Sequence, residues 1–235
     1  MQSHLRRLMS WLPVSLQRAV RRAYVRRSLR RGRFVSREYE FQILHELVKP
    51  RDWVLDIGAN FGVYTAKLSD LVGPQGRVIA MEPVQQTFDI LNAVVQELPL
   101  RNVTMLNVAS FDRPCVMPLR IPTEESGMEN LYESALDPDA SGPMALCLSI
   151  DALALPERIA VAKIDTEGAE LSVLRGMSAT LERDHPILIV EWIPGMDEII
   201  EFLTPFGYRA VITSGKGRTP DGYDRQNYVF RADGA

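Results

Sequence analysis

A glycine-rich segment with two acidic residues around it could bind a nucleotide-like molecule. Residues 56–62 (DIGANFG) follow a short apolar run, and Glu82 lies twenty residues after Gly62. Glycines let the backbone turn sharply and approach a ligand, and the start of a helix beyond them offers free N–H groups. Asp56 would repel a pyrophosphate but suits a cationic amino group, while a carboxylate at Glu82 can accept hydrogen bonds from both hydroxyls of a ribose. An amino-acid end and a ribose on one ligand describe S-adenosylmethionine.

The same glycine segment leaves two other classes of protein open. Asn60 stands where the dinucleotide fingerprint G-x-G-x-x-G has its second glycine, which disfavours a nicotinamide-dependent oxidoreductase. A non-catalytic Rossmann-like nucleotide-binding module is the second alternative. The acidic residues at the end of the fourth predicted strand count against it.

A second group of acidic residues could act on a substrate hydroxyl. Asp165 and Glu167 follow an apolar strand, and Glu191 ends the next one. Carboxylates close together raise one another's pKa, which suits a general base, and they could equally chelate Mg²⁺. Glu167 and Glu170 have a structural alternative, since acids favour the N-terminus of the helix that follows. Lys163 lies along the strand and is expected to pair with one of these acids.

Histidine and cysteine contribute little to the predicted chemistry. His4 and His45 precede the predicted sheet, and His185 starts a strand, at the end of the sheet opposite the expected site. Cys115 and Cys147 form no C-x-x-C pair and have no histidine cluster nearby, which argues against zinc. We expect two buried free thiols rather than a disulfide.

Strands and helices alternate along the body of the chain and would position these residues. Strands are predicted at 53–57, 77–81, 103–108, 159–164, 186–191, 208–213 and 228–231. Helices are predicted at 38–49, 62–72, 84–97, 168–183 and 196–206. This order predicts an α/β fold with a doubly wound, Rossmann-like, seven-stranded sheet that is mostly parallel. The last connection is too short for a crossover helix, so the last two strands are expected to run antiparallel near the C-terminus.

Residues 110–156 interrupt the alternation. They contain six prolines and show no clear helical pattern. Residues 115–122 and 144–150 could form a short hairpin. Because ligands bind at the carboxyl edge of open α/β sheets, the loop 121–143 is a candidate cover for the substrate; a simple surface loop is the alternative.

The ordered motifs resemble the FkbM family of class I S-adenosylmethionine-dependent methyltransferases. Residues 54–65 (VLDIGANFGVYT) resemble the first class I motif, and residues 163–176 (KIDTEGAELSVLRG) resemble the most distinctive stretch of the family. Residues 107–109 (NVA), 148–153 (LSIDAL) and the Ser126-Gly127 pair agree with it. The resemblance covers about residues 50–230.

This resemblance implies an O-methyltransferase that acts on a hydroxyl of a small molecule, with a sugar or glycolipid-type acceptor. The cofactor-binding residues it implies are Asp56, Gly58, Ala59, Asn60, Gly62, Thr65, Glu82, Pro83, Asn107 and Ala109. Asp165 would face the transferred methyl group, and Asp165 and Glu167 are the candidate catalytic residues. No resident metal is assigned, and Mg²⁺ stays open.

Charge divides the chain into two parts. The net charge is −3, but residues 1–37 hold eleven arginines and no acid, so residues 38–235 carry 16 basic against 30 acidic residues, a net of −14. We predict a basic amphipathic helical arm (1–37) and a methyltransferase domain (38–235) with the 110–156 insertion. The acidic domain is not expected to bind nucleic acid.

The arm has three interpretations. It could lie on an anionic membrane surface, pack on the domain with its arginines in solvent, or contact nucleic acid, which its few aromatic residues disfavour. Pro13 would break its helix. Its Arg-rich, acid-free composition also resembles a transit peptide, and it lacks the apolar core of a secretory signal. We expect a cytoplasmic protein, in contact with the membrane if the first interpretation holds; the oligomeric state cannot be predicted.

Overall fold

The computed structural model describes residues 14–124, 128–212, 217–218, 224–225 and 227–233. The helices are α1 (Val14–Arg30), α2 (Tyr39–Gln42), α3 (Leu44–Leu47), α4 (Val63–Val72), α5 (Gln85–Glu97), α6 (Glu170–Arg175), α7 (Ser178–Asp184) and α8 (Met196–Leu203). The strands are β1 (Trp53–Ile57), β2 (Arg77–Met81), β3 (Val103–Leu106), β4 (Ala109–Ser110), β5 (Cys115–Arg120), β6 (Ala135–Leu136), β7 (Met144–Leu148), β8 (Ile159–Ile164), β9 (Ile187–Glu191), β10 (Tyr208–Ile212), β11 (Gly217–Arg218), β12 (Asp224–Arg225) and β13 (Asn227–Ala232).

The main sheet has seven strands in the order β10-β13-β9-β8-β1-β2-β3. β13 runs antiparallel to both β10 and β9, and the pairs from β9 to β3 are parallel. The predicted fold class is therefore confirmed, including the antiparallel pair near the C-terminus. β13 also inserts between β9 and β10, a position that connection length alone does not specify.

Alternating apolar residues give the sheet two buried faces. Val54, Val78 and Val161 pack with α2, α3 and α4 on one face, whereas Leu55 and Ile57 pack with α6, α7 and α8 on the other. Side chains along a strand point to opposite faces, so strands that are apolar at consecutive positions require cover on both sides. Because β1, β2, β3, β8 and β9 pair in parallel, their carboxyl ends meet at one edge of this sheet.

Several predicted elements are shorter than expected. The predicted helix 168–183 is two helices, separated at Gly176 and Met177, and the predicted helix 38–49 is the two single turns α2 and α3. The predicted helix 196–206 ends as α8 at Leu203 and continues as a 3₁₀ turn that contains Pro205, which lacks an N–H group. The third strand ends at Leu106, because the chain then turns into the insertion.

Asp151 explains why a second helix begins at Ser178. Its carboxylate accepts hydrogen bonds from the backbone N–H groups of Ala179 and Thr180, each at 2.9 Å, and from the Thr180 hydroxyl at 2.7 Å. The acid therefore satisfies free donors at the N-terminus of α7, although it lies 27 residues before that helix.

We expect Asp151→Ala to lower the free energy of unfolding by about 1–2 kcal/mol, the usual cost of losing a helix N-terminal acceptor. Urea titration followed by circular dichroism would measure it. The matched control is Asp70→Ala, because Asp70 is exposed on α4. Equal unfolding free energies for the two variants would contradict the assigned role.

The insertion forms a second sheet of four strands, in the order β4-β7-β5-β6. β5 and β7 pair antiparallel, as the predicted hairpin requires, and place Cys115 opposite Cys147. Both thiols are free, as predicted, but only Cys147 is buried. Cys115 is half-buried, so the prediction of two buried thiols is wrong for that residue. The loop between β5 and β7 holds a 3₁₀ turn, Leu131–Glu133, and β6.

Helix α1 packs on the domain. Val25 is buried against Ile90 and Val94 of α5, and the Arg22 guanidinium pairs with Asp89 at 3.1 Å. The Arg21 guanidinium donates a hydrogen bond to the carbonyl of Glu129, in the insertion loop, at 2.8 Å. These are the contacts expected of a helix that packs on the domain. The break predicted at Pro13 lies outside the described residues.

The outer face of α1 stays apolar and exposed. Leu16, Val20 and Tyr24 follow one another at four-residue spacing and are 46%, 38% and 71% exposed. Residues at this spacing lie on one side of a helix. Within the described part of the chain, every helix is too short or too polar to cross a bilayer.

Candidate active site

The turn after β1 is packed tightly against the end of β8. Gly58 has φ +79°, and a Cβ at this position would lie 1.7 Å from the backbone oxygen of Asp165. Its N–H and that of Ala59 donate to the Met81 carbonyl at 3.0 and 2.9 Å. Gly62 has φ +87° and begins α4. Glycine is thus required at both positions, which lets three strand ends meet at one edge.

Asp56 is buried beneath this turn. Its Oδ2 accepts a hydrogen bond from the Thr65 hydroxyl at 2.5 Å, and its register partner on β8 is Lys163. Burial raises the pKa of Asp56 to about 6, although the Thr65 bond and the Lys163 ammonium oppose the shift. The two predicted cofactor residues, Asp56 and Thr65, therefore hold β1 to α4, and Asp56 also contributes to the wall of a cavity.

Glu82 lies at the end of β2 with both carboxylate oxygens directed to backbone donors. Oε2 accepts from the Asn60 N–H and Oε1 from the Val84 N–H, each at 2.9 Å. Each oxygen keeps a second lone pair for a ligand. Burial raises the pKa of Glu82 to about 7. The carboxylate is therefore held rigidly where the sequence predicted a ribose acceptor.

Asn107 supports the turn rather than the cavity wall. Its side-chain amide donates to the carbonyls of Glu82 at 2.8 Å and Pro83 at 3.2 Å. Pro83 and Ala109 do line the larger cavity. The sequence grouped these residues as cofactor contacts; Asn107 holds the backbone of Glu82 and Pro83, and its contact with the cofactor stays a prediction.

Asp165, Glu167 and Glu191 come together at the ends of β8 and β9. One carboxylate oxygen from each lies within 4.8 Å of the others. The Lys163 ammonium, on a side chain only 1% exposed, donates to Asp165 Oδ2 at 2.9 Å. The predicted pairing of Lys163 with one of the acids is therefore observed, and three carboxyl groups share the neighbourhood of one ammonium.

The three acids differ strongly in basicity. Burial raises the pKa of Asp165, but the Lys163 ammonium and hydrogen bonds from Glu191 and Lys163 outweigh it, so its pKa lies below the usual value. Burial and the Asp165 charge raise the pKa of Glu191 to about 9. Burial and its acidic neighbours raise the pKa of Glu167 to about 7. At neutral pH, Glu191 holds a proton, Asp165 is ionised and Glu167 is poised between the two states.

Glu167 sits on a strained loop that Glu170 supports. Its φ is +55°, a left-handed conformation that side chains other than glycine rarely adopt, and such strain concentrates at functional sites. Buried Glu170 accepts hydrogen bonds from the backbone N–H groups of Thr166 at 2.8 Å and Gly168 at 3.0 Å. The structural alternative, an acid that stabilises the start of the following helix, therefore applies to Glu170. Glu167 lines the cavity instead.

Two cavities adjoin along this edge. The larger, about 440 Å³, runs from Glu82 and Ala109 to the acids, and the smaller, about 250 Å³, lies beyond the glycine turn beside Asp56 and Lys163. They share the lining residues Glu38, Gly58, Asn60, Tyr132 and Asp165. Together they offer polar and charged lining residues to an elongated ligand that spans both cavities.

The insertion loop covers the larger cavity. Residues 131–134 line it, and the Tyr132 ring packs edge-on to Phe61 of the glycine turn at 5.1 Å between centroids. Part of the candidate cover 121–143 thus lies at the site, although its function as a substrate cover stays a prediction. Ser126 and Gly127, which carried part of the family resemblance, lie outside the described residues.

Sequence reasoning missed three parts of this site. Glu38 and Tyr132 reach it from segments that the sequence assigned to a helix and to an irregular loop. Ser110 lines the larger cavity with a buried hydroxyl that lacks a partner among the described residues. Of these three residues, only Ser110 lies next to a motif that could have indicated it, because it directly follows residues 107–109 (NVA). His185 lies at the opposite end of the sheet near Tyr208, as expected, and lines neither cavity.

The sheet has a glycine turn after β1, an acid after β2 and further acids at the ends of β8 and β9. This arrangement defines the site of a class I S-adenosylmethionine-dependent methyltransferase. The Methyltransferase FkbM domain matches residues 56–210, about two thirds of the chain. The chain belongs to the FkbM methyltransferase family.

Comparisons with individual proteins agree with this class. The crystal structure of Methyltransferase FkbM from Methylobacillus flagellatus KT has a TM-score of 0.54 at 17% identity, covering 89% of this chain and 60% of that one. An rRNA methylase from Streptococcus thermophilus has a TM-score of 0.50 at 13% identity, covering 82% and 93%. Both show the fold alone.

One curated relative matches a short segment. Protein-L-isoaspartate O-methyltransferase of Methanopyrus kandleri is 39% identical over 72 residues, which cover 29% of this chain and 32% of the relative. The chain therefore spans less than two thirds of both the Methylobacillus structure and this relative.

Proposed function

We propose that the protein transfers a methyl group from S-adenosylmethionine to a hydroxyl of a small molecule, with a sugar or glycolipid-type acceptor. The observation that carries this proposal is the pair of adjoining cavities. The Glu82 carboxylate and the Asp165, Glu167 and Glu191 carboxylates all line the larger cavity, which supports a nucleoside beside Glu82 and a reacting centre beside the three acids.

The residues present suit the cofactor. Glu82 offers two free lone pairs for ribose hydroxyls, and Asn60 Oδ1 is a buried acceptor with no partner among the described residues. Pro83, Val84 and Val108 supply an apolar wall beside them for a flat base. Polar atoms buried without a partner are costly, so their position on a cavity supports a polar ligand there.

The acids suit proton removal from the acceptor. S-adenosylmethionine, when bound, supplies a methyl group on a positively charged sulfur, and an alcohol must lose its proton as the new bond forms. Glu167 is the base in this proposal, because its pKa of about 7 lies near working pH. Glu191 and Lys163 hold Asp165 in the ionised state beside it. The negative cluster also stabilises positive charge nearby.

A polyhydroxylated acceptor is supported by the walls of the larger cavity. Ser110 and Ser134 each present a buried hydroxyl oxygen that lacks a partner among the described residues, and Glu133 lies beside them. These groups can exchange hydrogen bonds with sugar hydroxyls. The net charge of −14 on residues 38–235 disfavours a polyphosphate such as RNA.

The deciding experiment is methyl transfer from isotopically labelled S-adenosylmethionine to a panel of glycans, glycolipids and RNA, with products identified by mass. A methylated glycan hydroxyl supports the proposal, and a methylated RNA would replace it. Calorimetry with S-adenosylmethionine and NAD separates the alternatives. Binding of the former without turnover on any acceptor favours a non-catalytic module, and heat from NAD alone favours an oxidoreductase.

Metal dependence is decided by the same assay. The three clustered carboxylates are also the oxygen donors that Mg²⁺ prefers, and as ligands they would bring the metal to the acceptor hydroxyl. Loss of activity with EDTA and its recovery with MgCl₂ would assign the cluster to a metal. Unchanged activity in EDTA would instead assign the carboxylate cluster to proton removal by Glu167.

We also propose that the arm holds the protein on an anionic membrane surface. The exposed apolar residues Leu16, Val20 and Tyr24 share a helix face with Arg27, the combination typical of interfacial helices. Glycolipid acceptors lie at such a surface, so this contact would bring enzyme and acceptor together.

We expect the double variant Leu16→Glu with Val20→Glu to weaken binding to phosphatidylserine-containing vesicles about tenfold or more, since two apolar side chains no longer enter the lipid. Flotation measures the bound fraction. Val116→Glu is the control, because Val116 is an exposed apolar residue on the insertion, away from α1. Equal flotation of both variants and the unchanged protein would reject the membrane proposal.

A further inference from the structure

Glu38 reaches the site from the segment that joins helix α1 to the domain. It lines both cavities, although it lies outside the glycine turn and outside the strand ends. Its neighbours Val35 and Ser36 line the smaller cavity with it. No motif of the sequence assigned a function to this segment.

Three contacts fix the segment in place. The Gln42 amide donates to the Ser36 carbonyl at 2.8 Å, and the Glu38 N–H donates to the Ser36 hydroxyl at 3.1 Å. Phe34 packs in the cluster that contains Val25 of α1 and Phe61 of the glycine turn. The carboxylate is therefore held at the cavity wall by packing and hydrogen bonds on both sides.

Only one carboxylate oxygen of Glu38 is used by these neighbours. The Tyr64 hydroxyl and the Asn227 amide, the latter at 3.2 Å, both donate to Oε2. Oε1 accepts neither bond. A half-buried carboxylate with a spare oxygen at a cavity wall can accept a charge-assisted hydrogen bond from a cation.

The other charges around the smaller cavity are already engaged. Asp56 is buried and bonded to Thr65, and Lys163 pairs with Asp165. The amino-acid end of S-adenosylmethionine carries one ammonium and one carboxylate. Lys163 and the N-terminus of α4 provide positive potential for the carboxylate, which leaves the ammonium to a carboxylate of the cavity wall that keeps an unused oxygen.

Resting on the proposed function, we infer that Glu38 binds the α-amino group of the cofactor's amino-acid end, with Asn60 Oδ1 as a second acceptor. An ammonium has three donors, and Glu38 and Asn60 both line the two cavities, with Asn60 Oδ1 buried and without a partner among the described residues. The segment before the domain is then one wall of the cofactor site. Helix α1 fixes this wall through the Phe34 cluster.

The test compares two ligands that differ only in the group Glu38 would bind. S-adenosylhomocysteine carries the amino-acid end, and methylthioadenosine has the same nucleoside and thioether without it. In Glu38→Gln we expect the Kd for S-adenosylhomocysteine to rise about 10- to 100-fold, the value of a charge-assisted hydrogen bond. The Kd for methylthioadenosine should stay within about twofold.

Glu46→Gln is the control, because Glu46 is exposed on the adjacent helix α3 and should leave both affinities unchanged. An equal loss for both ligands in Glu38→Gln, or no loss for either, overturns the assignment while leaving the proposed function standing. Failure of the unchanged protein to bind either ligand would defeat the proposed function, and this assignment with it.

Discussion

We expect Glu167→Gln to lower kcat about 10²- to 10⁴-fold while the affinity for S-adenosylhomocysteine stays unchanged. A positioned general base contributes a factor of this size, and glutamine keeps the shape of the side chain while losing its basicity. Glu170, which holds the loop through its hydrogen bonds to Thr166 and Gly168, is untouched by the change.

The pH dependence gives an independent check on the base. Burial and neighbouring acids raise the pKa of Glu167 to about 7, and only the ionised carboxylate can take a proton. The kcat of the unchanged protein should therefore fall as pH drops below about 7, and the residual rate of Glu167→Gln should lose this step. Glu182→Gln, an exposed change on α7, should keep both the rate and the profile. A Glu167→Gln rate within threefold of the original would remove Glu167 from the mechanism.

The strands of the main sheet were predictable because their residues are buried on two faces. Runs such as 53–57 and 159–164 are apolar at consecutive positions, which only a sheet covered on both sides can bury. Once those strands are parallel, their carboxyl ends meet, and Asp56, Glu82 and Asp165 must lie at one edge. The place of the candidate site therefore followed from strand-end position, whereas the full set of cofactor residues came from the family resemblance.

The parts that could not be predicted depend on contacts between distant segments. Glu38 bonds to Asn227, 189 positions away, and α7 begins where Asp151 reaches it from the insertion. Neither contact can be recognised from the local pattern of apolar and polar residues around the residues involved. The charge of the arm left open whether it packs on the domain, and the burial of Val25 on α5 shows that helix α1 does. Charge describes the solvent-facing side of a helix and says nothing of its packed side.

We expect Glu82→Ala to weaken the binding of S-adenosylhomocysteine about 100-fold or more. The carboxylate would accept two ribose hydroxyls, and each hydrogen bond to a charged group is worth about 1.5–3 kcal/mol. Calorimetry measures the loss, and Glu157→Gln, an exposed change before β8, serves as the control. Since burial raises the pKa of Glu82 to about 7 and the ionised form is the acceptor, affinity in the unchanged protein should decline as pH falls through about 7.

A loss of affinity could also come from the turn, because Glu82 accepts the N–H groups of Asn60 and Val84. A 2′-deoxyribose form of S-adenosylhomocysteine separates the two causes. If Glu82 binds the ribose, removing the hydroxyl weakens binding to the unchanged protein about tenfold or more and has little further effect in Glu82→Ala. If Glu82 only shapes the turn, removing the hydroxyl weakens the affinity of the ligand by the same factor in both proteins. That result would contradict the ribose assignment, and with it the reasoning that placed the cofactor along this edge.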